Sequence, residues 1–415
     1  MILPRNSHPM PFRFLTLGLT FLSTAAFAQD ALTKKTVRLA ETQATTMLQE
    51  LPKAIAQKSV AAGKPPLVSP RSLTPTGELI VVPSRDWTSG FFPGYLWFLY
   101  ELSGQPRWMA EAKTYTANIE PEKTNGGTHD MGFKVYCSFG TGYRLTKDAA
   151  YKDVILQSAR TLSTRFYPKV GTLLSWDHSR EKWAFPVIID NMMNLELLFA
   201  ATKLSGDSSF YKIAVSHANT TMHNHFRPDY SSYHVVDYDS ATGKVVKRTT
   251  HQGAANESAW ARGQGWALYG YTMCYRETRN KAYLAQAENV ARFILNHPNL
   301  PKDLIPYWDF NAPGLPNEPR DASAGALIAS ALYELSTFSP NGKLYRAKAD
   351  KMVKSLAKSY VAQPGGSRGF LLLHSTGAKP SNSEIDVPLS YADYYFMEAL
   401  VRRQSLLNGK GIPGL

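Results

Sequence analysis

Helix pairs repeat six times along this chain, and this repeat constrains the fold more than any other feature of the sequence. Each copy opens with a polar or glycine-rich segment, continues into a helix of small and aromatic residues, and is followed by a second, amphipathic helix. The first helices are predicted to begin near Asp86, His129, Asp190, Arg262, Asp321 and Ser390. Such pairs bury their apolar faces against neighbouring pairs, which predicts either a solenoid or a closed ring.

The second helix of each pair carries an aromatic residue near its start and an apolar residue four positions later. That spacing puts both residues on one helix face. The pairs are Trp108 and Ala112, Tyr151 and Ile155, Tyr211 and Val215, Tyr283 and Ala287, and Tyr345 and Ala349. The sixth second helix is predicted in the N-terminal stretch 33–58, where Val37, Ala40, Ala44, Leu48 and Leu51 form one stripe.

The two kinds of helix differ in where their apolar residues lie. The segment 91–99 is apolar all round and should be buried, whereas 282–288 is amphipathic and should face water on one side. Six buried helices surrounded by six amphipathic ones predict an all-α closed toroid. An open solenoid would show the same pattern. Closure is favoured because the unusual polar residues fall at one end of the buried helices, where a ring would gather them into one pocket.

Three stretches interrupt the repeat. Residues 64–83 contain five prolines and are predicted to form an extended loop, and 311–319 is predicted to be another. Residues 230–250 alternate apolar and polar positions around Ser240-Ala241-Thr242-Gly243, which predicts a short β-hairpin insertion. Loops on the rim of a pocket would shape its entrance.

The N terminus reads as a secretory signal peptide over residues 1–28. Arg5 and Arg13 form its basic region, 14–22 is apolar, and Ala26-Phe27-Ala28 is a small-x-small cleavage site. We therefore expect an exported protein, periplasmic if its source is Gram-negative. The residue directly after the cleavage site is Gln29 rather than cysteine, so no lipid anchor is expected. Residues 29–415 are predicted to form a single catalytic domain, which at this length requires a repeating architecture.

The formal charge of +13 suits an anionic ligand, although the basic residues are scattered and could simply form a solvated surface. Nucleic acid is not an expected partner of an exported protein. Cys137 and Cys274 are the only cysteines. Buried free thiols are expected, although export would allow them to be joined. No HExxH, Walker or GxSxG motif occurs, so metal, nucleotide and serine-hydrolase chemistry have little support.

Asp130 and Asp190 each open a segment that otherwise reads as a buried helix. Either aspartate could be a helix N-cap, as Asp321 is predicted to be. Simple capping is less convincing for Asp130 and Asp190, because His129 and Asn191 lie beside them. Two neighbouring carboxylates hinder each other's ionisation, which raises a pKa and makes an acid available near neutral pH. The pair therefore indicates an acid/base site.

Other unusual residues lie at the starts of elements. Trp87, Trp176 and Trp266 adjoin polar residues and could belong to the core or, if half exposed, stack on a sugar face. Arg262 could make a structural ion pair or offer its planar fork to a substrate carboxylate. His234, His251 and Gln252 flank the predicted hairpin, where they could donate to sugar hydroxyls.

Five stretches together resemble the unsaturated glucuronyl hydrolases, glycoside hydrolase family 88. They are 87–94 (Trp-Thr-Ser-Gly-Phe-Phe-Pro-Gly), 129–133 (His-Asp-Met-Gly-Phe), 190–194 (Asp-Asn-Met-Met-Asn), 260–266 (Trp-Ala-Arg-Gly-Gln-Gly-Trp) and 393–396 (Asp-Tyr-Tyr-Phe). The resemblance implies an (α/α)6 barrel with Asp190 as general acid/base and Asp130 as its assisting carboxylate. It further implies substrate binding by Trp87, His129, Trp176, His234, Gln252, Arg262 and Trp266. Lys379, Ser381 and Ser383 are candidates for contacting a second sugar.

The resemblance also implies a substrate and a reaction. Members of this family act on unsaturated uronic-acid oligosaccharides left by polysaccharide lyases, and they hydrate the C4=C5 vinyl ether without a metal or organic cofactor. Two alternatives stay open. An unsaturated rhamnogalacturonyl hydrolase would apply the same chemistry to pectin fragments, and a non-catalytic glycan-binding protein would keep the tryptophans but need neither aspartate.

Overall fold

Twelve α-helices form two concentric layers in the computed structural model, which describes Met1 and residues 30–58 and 64–414. The inner helices are α2 (Phe91–Ser103), α4 (Thr141–Thr146), α6 (Leu195–Ser205), α8 (Ala261–Thr278), α10 (Ala322–Leu335) and α12 (Ser390–Leu407). The outer helices are α1 (Ala31–Gln57), α3 (Pro106–Ala117), α5 (Ala149–Ser163), α7 (Ser208–Asn224), α9 (Lys281–Asn296) and α11 (Gly342–Ser359). Apart from Met1, the predicted signal peptide lies outside the described residues.

Packing between the inner helices closes the ring. Neighbouring inner helices contact each other around the ring, with the π-helical segment 132–140 that leads into α4 making the contact to α6, and α12 returns to contact α2, which excludes an open solenoid. Helix α1 packs against α2 and α11 and so takes the sixth outer position. The predicted (α/α)6 barrel is confirmed, including the assignment of the N-terminal stretch to the outer layer.

The burial of each layer follows its sequence pattern. Helix α2 buries residues on every side, whereas α9 buries a stripe that includes Tyr283, Ala287 and Ile294 and exposes its opposite face. In α7 the predicted stripe is shifted by one residue. Phe210 and Ala214 are the buried pair there, and the predicted Tyr211 and Val215 are only partly buried.

Two inner helices begin with a different helical geometry. A π-helix (Gly132–Gly140) runs into α4, and a 3₁₀-helix (Ile189–Asn194) runs into α6. These segments follow Asp130 and contain Asp190, respectively. π-Helical turns are uncommon and often occur at functional sites. The backbone geometry by itself therefore indicates that this end of the barrel is a candidate functional site.

The predicted extended loop at 64–83 is wrong. Strands β1 (Leu67–Leu73) and β2 (Leu79–Pro83) form an antiparallel hairpin there, closed by a turn in which Gly77 has φ +81°. Prolines are tolerated because a two-stranded sheet has only edge strands, where a missing N–H donor can face outward. Irregularities in register on either side of Ser69 and Pro70 accommodate them further.

The predicted β-hairpin at 230–250 is confirmed, but it belongs to a larger sheet. After the two-residue strands β3 (Phe166–Tyr167) and β4 (Thr172–Leu173), β5 (Pro186–Ile188) pairs with β6 (Val235–Tyr238), which pairs with β7 (Val245–Thr249). Strand β5 leads directly into the 3₁₀-helix that carries Asp190. The sheet therefore fixes where that aspartate enters the barrel. Residues 311–319 form a loop, as predicted.

Cys137 and Cys274 are both buried and unpaired, so they are not joined to each other. Burial raises the pKa of both thiols well above its usual range, which keeps them protonated and unreactive. Within the described part of the chain, no helix combines the length and the apolar character needed to cross a membrane.

Candidate active site

One cavity of about 220 Å³ opens at the end of the barrel where the inner helices begin. Segments from most of the repeats contribute to its wall, together with the β1–β2 hairpin and the three-stranded sheet. The lining residues are Arg71, Trp87, His129, Asp130, Phe133, Trp176, His178, Ile188, Asp190, His251, Gln252, Arg262, Ala378, Ser383, Glu384 and Tyr391. Of the nine residues predicted to catalyse the reaction or bind the uronate, seven lie on this wall, whereas His234 and Trp266 are not among its lining residues.

Asp190 is not a helix cap. The residue at the cap position of its 3₁₀-helix is Ile188, and no side chain makes a capping hydrogen bond there. Asp190 is only 8% exposed, and its Oδ2 atom has no hydrogen-bond partner. Because Asp190 also lines the cavity, its carboxyl group is placed beside any ligand bound there.

Burial raises the pKa of Asp190 to about 7. The nearby positive charge of Arg262 opposes this shift, and the negative charge of Asp130 adds to it. The expected effect of the second carboxylate is therefore present, but burial is the larger cause. A carboxyl group with a pKa near 7 can both give and accept a proton at neutral pH, as a general acid/base must.

His234 reaches Asp190 through strand pairing. Ile188 pairs with Val235, and the Ile189 N–H donates to the His234 carbonyl at 3.0 Å. His234 Nε2 then lies 3.6 Å from Asp190 Oδ2. The backbone N–H groups of His251 and Gln252 donate to His234 Nδ1 at 3.2 and 3.1 Å.

These contacts fix the hydrogen of the His234 ring. Because Nδ1 accepts two hydrogen bonds, the single hydrogen of the neutral ring must be on Nε2. Burial lowers the pKa of His234 well below its usual range, so the ring is neutral. The His234 N–H therefore lies on the side of Asp190, at a separation of 3.6 Å that is longer than a hydrogen bond.

Asp130 is not a helix cap either, since the cap position of the π-helix is Met131 and no side chain makes a capping hydrogen bond there. Thr128 Oγ1 donates to Asp130 Oδ2 at 2.9 Å, and His129 Nε2 lies 3.2 Å from Oδ1. The capping alternative is therefore excluded for both aspartates. It is confirmed for Asp321, which accepts hydrogen bonds from the first turn of α10.

Gly132 and Asn194 hold the two aspartate segments together. A Cβ atom on Gly132 would lie only 2.7 Å from the Asn194 Cα atom. Glycine has no Cβ, so it is the residue that fits at this position. The close approach lets the Phe133 N–H donate to Asn194 Oδ1 at 3.2 Å. This contact joins the π-helix to the 3₁₀-helix and brings Asp130 and Asp190 into one cavity.

The three predicted tryptophans differ in exposure. Trp87 and Trp176 are partly exposed on the cavity wall, where each could stack on a sugar. The expectation of a half-exposed ring is wrong for Trp266, which is fully buried against Phe133 and Tyr395 because it lies a full turn inside α8. Its indole lies near Asp190 and lowers the pKa of that carboxyl.

Arg262 is an ion-paired residue rather than a free fork. Its Nη1 atom donates to Asp321 Oδ2 at 2.6 Å and to the Thr376 carbonyl at 2.7 Å, and Nη2 donates to the Gly377 carbonyl at 2.6 Å. Arg262 is 1% exposed. The structural alternative is therefore confirmed, although the guanidinium also forms part of the cavity wall.

The segment 374–386 closes one side of the cavity. Gln252 Nε2 donates to the Gly377 carbonyl at 3.0 Å, and Glu384 binds Arg71 through Nε at 2.6 Å and Nη2 at 3.0 Å. Of the residues suggested for a second sugar, Ser383 lies on the cavity wall. Lys379 pairs with Glu318 instead.

Several wall residues carry no signal that the sequence motifs identify, and the prediction for Ser381 is wrong. Ser381 is exposed and is not on the wall. Arg71 lies in a segment that was predicted to be a loop, and Glu384 lies in no recognised motif. Tyr391 lies in the opening of the sixth inner helix, a position that could have identified it. Its hydroxyl is buried without a partner beside Arg262.

No group of three or more metal-binding side chains occurs within residues 30–58 and 64–414.

Comparison with known proteins identifies relatives along most of the chain. The family model described as Glycosyl Hydrolase Family 88 matches residues 75–404. An unsaturated glucuronyl hydrolase of Formosa agariphila is 49% identical, over 95% of this chain and 98% of that protein. An unsaturated chondroitin disaccharide hydrolase of Streptococcus pyogenes serotype M1 is 31% identical, over 80% of this chain and 85% of that protein. The crystal structure of an unsaturated glucuronyl hydrolase specific for heparin is 47% identical with a TM-score of 0.85, over 92% of this chain and 100% of that one.

A helical barrel with two carboxylates in one aromatic-lined cavity, together with such relatives, defines a glycoside hydrolase. The chain belongs to Glycosyl Hydrolase Family 88, within its unsaturated glucuronyl hydrolase group. The resemblance found in the five sequence stretches is thereby confirmed, and the alternative of a non-catalytic binding protein is excluded.

Proposed function

We propose that this enzyme removes 4,5-unsaturated glucuronic acid from the non-reducing end of lyase-generated glycosaminoglycan-type oligosaccharides. The environment of Asp190 is the observation that carries the proposal. Its carboxyl group lies in the cavity without a hydrogen-bond partner for Oδ2, and burial raises its pKa to about 7. Such a group suits a reaction that needs a proton donor first and a proton acceptor afterwards.

The reaction we propose is hydration of the C4=C5 vinyl ether. Asp190 gives its proton to C4, and positive charge develops at C5 with support from the ring oxygen. A water molecule then adds to C5 and returns a proton to the Asp190 carboxylate. The resulting hemiketal opens, and the glycosidic link to the next sugar is released. Asp130 assists as the second carboxylate of the cavity.

The other wall residues would hold the sugar. Trp87 and Trp176 offer partly exposed rings for stacking. His129, Gln252 and Arg262 line the same cavity and can hydrogen-bond to the uronate. His234 and Trp266 would act from behind, through their proximity to Asp190.

The names of the relatives support a glycosaminoglycan substrate over pectin. One relative is described as specific for heparin and another as a chondroitin disaccharide hydrolase. We also propose that the protein is exported and works without a membrane anchor or a nucleic-acid partner, because its N-terminal sequence has the basic, apolar and small-residue segments of a secretory signal.

The test of this function is the ultraviolet absorbance of the conjugated double bond. Lyase-generated disaccharides from heparin, chondroitin, hyaluronan and pectin should be compared at equal concentration. We expect the absorbance of at least one glycosaminoglycan disaccharide to disappear. Loss of absorbance for the pectin fragment alone would assign the rhamnogalacturonyl activity instead.

Solvent isotopes distinguish hydration from ordinary glycoside cleavage. In D₂O we expect deuterium at C4 of the released acid, because the proton that Asp190 delivers comes from solvent. In ¹⁸O-labelled water the new oxygen should appear at C5, with short reaction times to limit carbonyl exchange. A released sugar that still contains its double bond would rule out the hydration mechanism, even if hydrolysis occurred.

The pH dependence tests the role of Asp190. Because burial raises its pKa to about 7, the proton-donating form is lost as the pH rises through that value. We expect kcat/KM to fall across this range, since kcat/KM reports on ionisations of the free enzyme. In His234→Asn the donor facing Asp190 is removed, whereas the amide oxygen still accepts from the backbone. The decline should then move to higher pH. A flat profile through neutral pH in the wild type would contradict the assignment.

A further inference from the structure

Strand β1 crosses the junction at which the ring of inner helices closes. The first and the last inner helices, α2 and α12, pack against each other there. Ser69 Oγ donates to the Ser89 carbonyl, directly before the start of α2, at 3.1 Å. Ser72 Oγ donates to the Pro388 carbonyl, shortly before the start of α12, at 2.8 Å. Strand β1 therefore contacts both sides of the junction, although it precedes residue 75, where the match to the family model begins.

Arg71 lies between these two serines in β1 and joins two segments of the cavity wall. Its Nη1 atom donates to Asp86 Oδ2 at 2.9 Å, and its Nε and Nη2 atoms donate to the two carboxylate oxygens of Glu384 at 2.6 and 3.0 Å. Asp86 directly precedes Trp87, and Glu384 belongs to the segment 374–386. Arg71, Trp87 and Glu384 all line the cavity. The guanidinium therefore connects the wall on one side of the junction to the wall on the other.

Each of the two carboxylates is also fixed to its own segment. Asp86 Oδ1 accepts hydrogen bonds from the Thr88 N–H at 2.9 Å and from the Thr88 hydroxyl at 2.6 Å, in the turn that leads into α2. The Glu384 side chain lies against Gly377, where an added Cβ atom would be 2.7 Å from the Glu384 Cβ atom. The Gly377 N–H donates to the Glu384 carbonyl at 2.7 Å. A displacement of Glu384 would therefore move the backbone that presents its neighbour Ser383 to the cavity.

The backbone of the segment 374–386 is strained and depends on such contacts. His374, Asn382, Glu384 and Asp386 have φ between 49° and 61°. Asparagine and aspartate adopt this left-handed conformation more readily than glutamate does, because their short polar side chains can hydrogen-bond locally. Strained conformations persist where the surrounding structure holds them. At Glu384 the paired hydrogen bonds from Arg71 provide that support.

We propose that Arg71 is a positioning residue of the active site, which holds Trp87 and the segment 374–386 at the separation that a bound sugar requires. The proposal rests on the function proposed above. Arg71 acts through Asp86 and Glu384 rather than on the substrate, because its three nitrogen atoms all donate to these carboxylates. Two negative charges face one positive charge in this group, so it offers no net attraction to an anionic sugar.

Arg71→Ala should lower kcat/KM on an unsaturated disaccharide by about 10-fold, the low end for loss of a charge-assisted hydrogen bond, because the effect is indirect. The loss should appear mainly as a higher KM, since other contacts hold the segments that carry Asp130 and Asp190. The decline of kcat/KM with pH should stay in place, because Arg262 and Asp130 are the charges that act on Asp190. Arg71→Lys should recover part of the loss, because lysine keeps the charge but not the paired geometry. A lower melting temperature with unchanged KM would overturn the proposal.

Glu384→Gln distinguishes positioning from direct binding of the substrate. If Arg71 acts through Glu384, this variant also loses kcat/KM, and the double variant with Arg71→Ala is no worse than Arg71→Ala alone. If Arg71 instead bound the uronate, Glu384→Gln would release its positive charge and raise kcat/KM. Either a gain in Glu384→Gln or losses that simply add in the double variant would overturn the proposal.

Arg144→Ala is the matched control. Arg144 makes an equivalent paired contact with Glu101, between α4 and α2, and it is not on the cavity wall. We expect a lower melting temperature and an unchanged KM. An equal rise of KM in Arg144→Ala would contradict the proposal, because any lost ion pair would then have the same effect.

Amide hydrogen exchange tests the positioning without a substrate. In Arg71→Ala and Glu384→Gln, the amides of the segment 374–386 should exchange faster than in the wild type, whereas those of the outer helix α9 should keep their wild-type rates. Unchanged exchange in 374–386, or faster exchange spread evenly over the barrel, would overturn the proposal. If the wild type fails to consume the unsaturated disaccharide, the proposed function fails, and the exchange rates still decide whether Arg71 holds this segment.

Discussion

Asp190→Asn is expected to lower kcat/KM on an unsaturated disaccharide by at least about 10²- to 10⁴-fold, the usual contribution of a general acid/base. The loss should exceed this range if one carboxyl serves both the protonation of C4 and the deprotonation of water. An amide has the shape and volume of the carboxyl but no proton to give. The rate is measured from the decay of the double-bond absorbance.

The fold of this variant should survive. Oδ2 of Asp190 has no hydrogen bond to lose, and the replacement removes a charge that burial disfavours. The melting temperature should therefore stay the same or rise. Asp153→Asn is a suitable control, because Asp153 is exposed on the outer helix α5 and loses the same charge far from the cavity. Retention of more than about a tenth of the wild-type rate would remove Asp190 from the proposed mechanism.

The barrel could be predicted because each helix carries its own apolar pattern within a short stretch of sequence. The apolar character of 91–99 and the one-sided stripe of α9 each lie within a few helical turns, and six copies made the pattern visible. Closure then followed from where the polar residues fall. A ring brings the starts of all inner helices together, which is why Asp130 and Asp190 share a cavity although 60 residues separate them.

The environment of each site residue could not be predicted in the same way. The pKa of Asp190 depends mainly on burial, and one of the groups around its carboxyl is His234, which directly precedes β6 and lies far along the chain, beyond α7. Trp266 has the neighbours of a ligand platform in the sequence, yet its position one turn inside α8 buries it completely. The burial of these side chains depends on packing between segments that are distant in sequence. That packing produces no pattern within the local sequence.

The sequence left open whether Arg262 makes a structural ion pair or binds a substrate carboxylate, and the fold was needed to decide. Its partner Asp321 opens the next inner helix, and the sequence predicted no more for Asp321 than a helix cap. In the barrel α8 and α10 are neighbours, so the start of one helix faces the start of the next. Asp321 therefore caps α10 and neutralises Arg262 at the same time.

Arg262→Ala is expected to lower the free energy of unfolding by about 3–5 kcal/mol, the range for removing one partner of a buried ion pair. Asp321 is 0% exposed and would keep a charge without a counterion. The carbonyl groups of Thr376 and Gly377 would lose their donors, which should loosen the segment that carries Ser383 and Glu384. Denaturant unfolding at neutral pH measures the stability, and kcat/KM of the same sample measures the effect on the site.

A second substitution identifies the cause of this loss. In the double variant Arg262→Ala with Asp321→Asn, the uncompensated charge is gone, while asparagine still caps a helix as well as aspartate does. The double variant should therefore be more stable than Arg262→Ala alone, a non-additive result that two unrelated losses cannot give. It should remain poorly active, because the Thr376 and Gly377 carbonyl groups still lack their donor and the segment they hold stays loose. The decline of kcat/KM should move to higher pH in both variants, because the positive charge that lowers the pKa of Asp190 is absent. Stability losses that simply add would show that the guanidinium acts through its carbonyl contacts rather than through Asp321.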